Sequence, residues 1–236
     1  MTNGRLRLLP ILLLGLLLTG CALLETLESD RSSGADNDES RIAAGLREAL
    51  RVGTERTVER TNQTDGYLGN ELIRIALPDQ LQSAQSQLRR IGMSRQVDEL
   101  EVAMNRAAEL AAAEAVEVFG GSISRMRPAD VYAVFNGGPD AATQYLQADS
   151  EETLRERYRP IVASRLETVQ GYDLYREIAS NWNRIPLVQP LEVDLDRYVT
   201  ERALDGLFTV LAEEEQRIRE DPVARTTAIL RDVFGG

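Results

Sequence analysis

Between Ser94 and Met126 one set of small and apolar side chains returns every three or four residues or a multiple of that: Val97, Leu100, Met104, Ala107, Ala111, Ala115, Val118 and Met126. That is the period of an α-helix buried along one face. Ala108, Ala112 and Ala113 widen the small-residue surface, so neighbouring helices can approach closely. The segment is therefore expected as the central helix of the fold, kinked at Gly120-Gly121. Glu99, Glu101, Arg106, Glu109 and Glu114 keep it out of a bilayer.

The rest of the chain is read around that helix. Ile42, Leu46, Ala49 and Gly53 share one face of a first helix. After a loop with Gly66, Gly69 and Asn70, the run Leu72 to Leu77 alternates partly like a strand. With no second strand to pair with, it is read as extended chain packed on helices. A helix from about Pro78 carries Leu81, Leu88 and Ile91 and stops at Gly92. Short helices are expected over Pro128 to Phe135 and Pro139 to Leu146, separated by Asn136-Gly137-Gly138. Asp149 and Glu152 have capping-box spacing for a new helix to about Val169, and another reaches from Gly171 to Trp182. Pro186 and Pro190 frame an extended connection, and Asp194 caps a long helix with Val199, Ala203, Leu207, Leu211 and Ile218 inside. Glu213, Glu214 and Glu215 are expected to face water at least in part. Asp221-Pro222 opens a final helix with Ile229, Leu230, Val233 and Phe234. The fold class is all-α, one multi-helix domain over residues 41–236.

The chain ahead of that domain has its own pattern. Arg5 and Arg7 precede an apolar run from Leu8 to Leu18, and Leu18-Thr19-Gly20 leads into Cys21, the single cysteine. This order is that of a secretory signal peptide, and it resembles the lipobox of bacterial lipoproteins. The resemblance implies removal of residues 1–20 and acylation of Cys21, palmitate included. Two or more acyl chains anchor stably, so the partner implied is a membrane, reached through Cys21. By the sorting rule of such lipoproteins, Ala22 implies the outer membrane with the body facing the periplasm, the inner membrane being the alternative. Residues 21–40, nearly devoid of apolar side chains after Leu27, read as a flexible acidic tether. About 16 flexible residues give an r.m.s. reach of about 20 to 25 Å.

Composition excludes whole classes of chemistry. The formal charge is −11, moving to about −13 once the leader's arginines are gone, so binding to nucleic acid, which relies on clustered cations, is not expected. There is no His, and the only Cys is committed to lipid. A Ser-His-Asp triad, a Cys-His pair and a His-bearing zinc site are thus beyond this chain on its own. Asp36, Asp38 and Glu39 lack the spacing of a calcium loop. Neither metal nor cofactor is expected, no catalytic residue is assigned, and an enzyme is the least favoured class.

Several strings are similar to a family of uncharacterised proteobacterial lipoproteins, domain of unknown function four-one-nine-seven. They are Asn105-Arg106-Ala107-Ala108-Glu109, Asn136-Gly137-Gly138 followed by Ala141-Ala142-Thr143 and Tyr145, Ala203 to Phe208, Glu213-Glu214-Glu215, and Asp221 to Thr227. The resemblance covers roughly residues 40 to 235. It implies an all-helical periplasmic lipoprotein and no activity.

A polar set interrupts the apolar pattern: Asn105, Arg106, Asp205, Glu214, Arg225 and Thr226. Paired, these residues form a structural network, because a buried charge needs a partner. Converging on a cavity, Arg106 and Arg225 would instead hold an anionic ligand through bidentate contacts. The function expected is a non-enzymatic interaction or envelope-maintenance module with a protein partner in the envelope. The alternative is a helical carrier of a lipid or small anionic ligand.

Overall fold

The alanine stripe is buried as its spacing demands: Val97, Leu100, Met104, Ala107, Ala108, Ala111, Ala112 and Ala115 are all interior. In the computed structural model, which describes residues 20–221 with 227, 228 and 231 and side chains from Ser40 onward, this stripe is the hub. The helices are α1 (Gly20–Thr61), α2 (Asp79–Arg90), α3 (Ser94–Ala111), α4 (Ala115–Ser124), α5 (Pro128–Phe135), α6 (Ala141–Thr168), α7 (Gly171–Trp182) and α8 (Leu195–Glu220). No strand occurs among the described residues, so the class is all-α. Central α3 lies against α6, α7 and α8, while α1 lies against α8 and α4. The small side chains at its surface let three helices close on one.

Three expectations need correction. The central helix is interrupted at a 3-10 turn over Ala112–Glu114, whereas Gly120 and Gly121 sit inside regular α4. The tighter turn forms where Ala111, Ala112 and Ala115 have no exposed surface, a site where only methyl groups have to be accommodated. Asp149 starts no helix, because α6 runs unbroken from Ala141 to Thr168. Leu146, Ser150, Leu154 and Tyr158 keep its buried face in phase, and the Asp149 carboxylate goes to Arg125 at 2.8 Å instead of to a helix end. Ile91, placed on the buried face of α2, is 51% exposed, since the chain leaves the helix there and turns at Gly92, whose φ of +90° favours glycine.

Over residues 21–40, the segment read as a tether, the backbone is helical and continuous with α1. Among the described side chains, Ile42 and Ala43 are the first of α1 to pack on the core. Cys21 has no described side chain, and Arg225, Thr226 and the apolar residues of the expected last helix lie outside the described residues. No helix among the described residues is long and apolar enough to cross a membrane.

The stretch before α2 is extended chain laid on helices only from Arg74, because Glu71 to Ile73 form a turn in which the Ile73 and Arg74 amides donate to the Asn70 carbonyl. Ile73, Ile75 and Leu77 are buried while Leu72, Arg74 and Ala76 are exposed, the alternation of a half-buried strand. At the other end, the connection from α7 to α8 is braced: Trp182 Nε1 donates to the Gln189 carbonyl at 2.8 Å, and Tyr175 donates to the Leu191 carbonyl and accepts from the Val193 amide. Asp194 Oδ1 then accepts from Arg197 N at 3.1 Å, the cap expected for α8.

Candidate functional site

Asn105 projects from α3 with no exposed surface. Its Oδ1 accepts from the Ile75 amide at 2.9 Å and its Nδ2 donates to the Ile75 carbonyl at 2.8 Å. One side chain thereby satisfies both backbone groups of a buried extended residue, which a buried backbone requires.

One turn on, Glu109 does the same for the preceding loop. Its Oε1 accepts from the amides of Tyr67 and Leu68 at 3.2 and 3.3 Å, and its Oε2 accepts from Arg106 at 2.7 Å. Arg106 also reaches Asp65 at 2.7 Å, and the hydrogen bond to Glu109, then that to Asp65, raise its pKa. Tyr67 is fully buried, donates to the Ala203 carbonyl at 2.7 Å, and burial drives its phenol well above the usual range. Gly206 of α8 makes room for that ring: a Cβ there would lie 2.7 Å from Tyr67 Cε1.

Glu213 is partly exposed as expected, but the next two carboxylates contradict the expectation that they face water. Glu214 has no exposed surface and Glu215 is 9% exposed. Glu214 Oε1 accepts from Arg60 at 2.8 Å and lies 3.2 Å from Arg217. Glu215 crosses to the start of α6, where its two oxygens accept from Ala142 N, Thr143 N and Thr143 Oγ1 at 3.0, 2.8 and 2.9 Å. A carboxylate is well placed there, because the first amides of a helix lack intrahelical partners and carry the positive end of its dipole.

The expected polar set therefore divides among separate partners. Asn105 serves Ile75, Arg106 serves Glu109 and Asp65, and Glu214 serves Arg60 and Arg217. Asp205 stays at the surface, 3.2 Å from Arg202. Among the described residues these four do not surround one cavity. Glu109, Glu215 and Tyr67 belong to the same structural apparatus and were not in the set. Glu214 and Glu215 carry one signal that could have found them: they fall three and four residues after Leu211 and before Ile218, on the apolar register of α8.

Of those four, Arg106 borders an open hollow of about 500 Å³, shared with Asp98, Val102 and Leu174; the larger open space lies elsewhere. A cleft of about 650 Å³ sits between the extended segment at Arg74 to Pro78, the start of α2, and the first turns of α8, with Tyr198, Arg197 and Arg202 on its wall. Its cations are held loosely. Arg197 is 3.8 Å from Glu201 and 65% exposed, while Arg202 stacks 5.8 Å from the Tyr198 ring centre. Asp79 and Glu192, also lining it, make no ion pair among the described residues. A second hollow of about 210 Å³ shares Arg197 and Glu201 and includes Thr200. The buried hydroxyl of Thr200 has no partner, whereas those of Thr57, Thr61 and Ser122 bond the carbonyl one turn back. No group of three or more metal-ligating side chains occurs among the described residues.

A family model described as "Protein of unknown function (DUF4197)" matches residues 36–235. The chain belongs to this family. Neither a curated protein nor a solved structure matches it. The DUF4197 match takes in Asn105, Arg106, Glu109, Glu214 and Glu215, so the residues that fasten loops and helix ends lie in the family's own segment. DUF4197 membership brings no activity with it.

Proposed function

We propose that this chain is a lipid-anchored, non-enzymatic recognition module of the bacterial envelope, tethered through Cys21 to the outer membrane with its body in the periplasm. The observation that carries the recognition half is how the buried charges are spent. Asn105, Glu109 and Glu215 give their polar atoms to backbone amides, while the larger open cleft is walled by loosely held charged side chains. Buried groups so committed stiffen a scaffold, and exposed ones are free for a partner. The anchoring half rests on the leader and on Cys21 as the single cysteine.

The carrier reading finds less support. The apolar space between α1, α6 and α8, lined by Leu46, Leu50, Leu211 and Ile218, measures about 30 Å³, room for about one water and not for an acyl chain.

Two measurements test the proposal. Cys21→Ser should move the protein out of the membrane fraction and leave the leader uncleaved at Gly20, and unchanged fractionation would sink the anchor. Photo-crosslinking in intact cells should repeatedly capture one envelope protein. Copurification of a lipid at fixed stoichiometry, seen by native mass spectrometry, would favour the carrier instead.

A further inference from the structure

The all-α fold contains one feature that helical packing does not need. After a turn at residues 71–73, residues 74–77 form a short extended stretch with Ile75 and Leu77 buried and Arg74 and Ala76 exposed, and one of its two edges is already filled. The Ile75 amide and carbonyl both go to Asn105, so the Asn105 amide occupies the place of a neighbouring strand. In extended chain the backbone groups of adjacent residues point to opposite edges. The Arg74 carbonyl and both backbone groups of Ala76 therefore lie on the other side, the Arg74 amide being taken by the Asn70 carbonyl at 2.8 Å. That side is the cleft: the Ala76 carbonyl accepts from Tyr198 at 2.9 Å, and Tyr198, Arg74 and Ala76 all line the space of about 650 Å³. The Arg74 carbonyl and the Ala76 amide have no protein partner among the described residues.

We propose that the cleft receives an extended peptide segment of a partner protein, which pairs with the free edge at Arg74 and Ala76 as an added β-strand. A chain lying there donates to the Arg74 carbonyl and accepts from the Ala76 amide, main-chain contacts that serve almost any sequence, while side-chain contacts select among sequences. The selecting groups carry both signs. Arg197 is exposed and 3.8 Å from its carboxylate, Arg202 is exposed and paired with Asp205 at 3.2 Å, and Asp79 and Glu192 are unpaired among the described residues. A segment with an acidic and a basic side chain matches this wall better than a uniformly charged one. The hollow beside Arg197, with the unpartnered Thr200 hydroxyl at its edge, extends the groove by about 210 Å³.

The segment ahead of Arg41 is not the occupant. α1 and α8 run antiparallel, with Gly53 against Ile218 and Arg60 against Glu214. From Arg41 to Arg60 is about 29 Å of helix, and from Glu214 back to Tyr198 about 24 Å more. Residues 20–40 continue α1 as helix in the direction away from the start of α8, so that segment does not cover the distance.

This inference rests on the recognition reading and locates its surface. The probes are three synthetic decapeptides of alternating Val and Thr, carrying two Asp, two Lys, or one of each, added to the full chain in detergent. Backbone amide exchange and fluorescence titration are the readouts. The mixed peptide is expected to bind best and to slow exchange at Ala76 and its neighbours. A version N-methylated on alternate amides, and the variant Ala76→Pro, should each bind about tenfold more weakly, the loss of one or two hydrogen bonds. Ala76→Val, which keeps the amide, should bind as the parent does. Equal binding of the N-methylated peptide, protection confined to another surface, or no binding by any peptide at millimolar concentration would each overturn the strand-addition site. So would exchange at Ala76 that is already slow in the free chain and quickens when residues 25–40 are deleted. Cellular crosslinks to one envelope protein through a different face would sink this site and leave the recognition module standing.

Discussion

Asn105 replaces a strand with a single amide, and its removal isolates the effect. Asn105→Ala strands the amide and carbonyl of Ile75, a residue 1% exposed, and is expected to cost about 2–4 kcal/mol, read as a lower denaturant midpoint with an unchanged slope. Gly206→Ala sets two effects against each other. Alanine favours a helix over glycine by about 1 kcal/mol, but the new Cβ would lie 2.7 Å from Tyr67 Cε1 and 3.1 Å from Ile73 Cβ, an overpacking that costs about 1–3 kcal/mol. The expected result is net destabilisation, the reverse of the propensity scale. Asp130 offers a pH test. Its hydrogen bonds to the Arg127 side chain and backbone hold its carboxyl at about 2, against an ordinary value of 3.8. Because the folded value is the lower one, the contribution of this cap to α5 is complete above about 3.8 and fades as the pH falls toward 2. A carbon-detected NMR titration should find the midpoint near that lower value, and a midpoint near 4 would contradict the pairing.

The elements were legible in the sequence wherever periodicity alone decides them. The spacing of Val97, Leu100 and Met104 defines α3, and Asp194 capping α8 follows from its place before an apolar register. The extended run was legible from Arg74 to Leu77, because a lone alternating segment in a helical chain has only helices to pack on, but its first residues turn back to the Asn70 carbonyl. Failures came where one residue type serves two purposes. Asp149 and Glu152 have the spacing of a cap, but Asp149 pairs with Arg125 in mid-helix. The three consecutive glutamates read as solvated, yet Glu215, its charge matched by Arg219 at 2.9 Å on its own helix, is buried against the amides at the start of α6, 72 and 73 residues away in sequence. Contacts at that separation leave no mark in local spacing. The start of α6 supplies the element-scale prediction. Glu215→Ala removes the acceptor for two amides and a hydroxyl and the partner of Arg219, and is expected to cost about 2–3 kcal/mol, with the fastest amide exchange gained at Ala142 and Thr143. Glu215→Gln, which retains an acceptor, should cost less.

On the scale of the whole molecule the helices give the body two poles. The antiparallel pairing of α1 and α8 puts the end of α1 that leads toward Cys21 far from the cleft at the start of α8. A crosslinker at Arg202 should therefore capture partner protein and one at Arg41 should capture lipid or neighbours in the anchoring membrane. Swapped products would contradict the proposed orientation. Beside the cleft stands Trp182, the only tryptophan, its indole bound to the Gln189 carbonyl in the connection that runs on to Glu192, Val193 and Asp194 of the cleft wall. The protein thus has one intrinsic indole fluorophore, coupled to the strap that borders its proposed receptor groove. Its emission reports on that strap without any label, against a background free of other indoles.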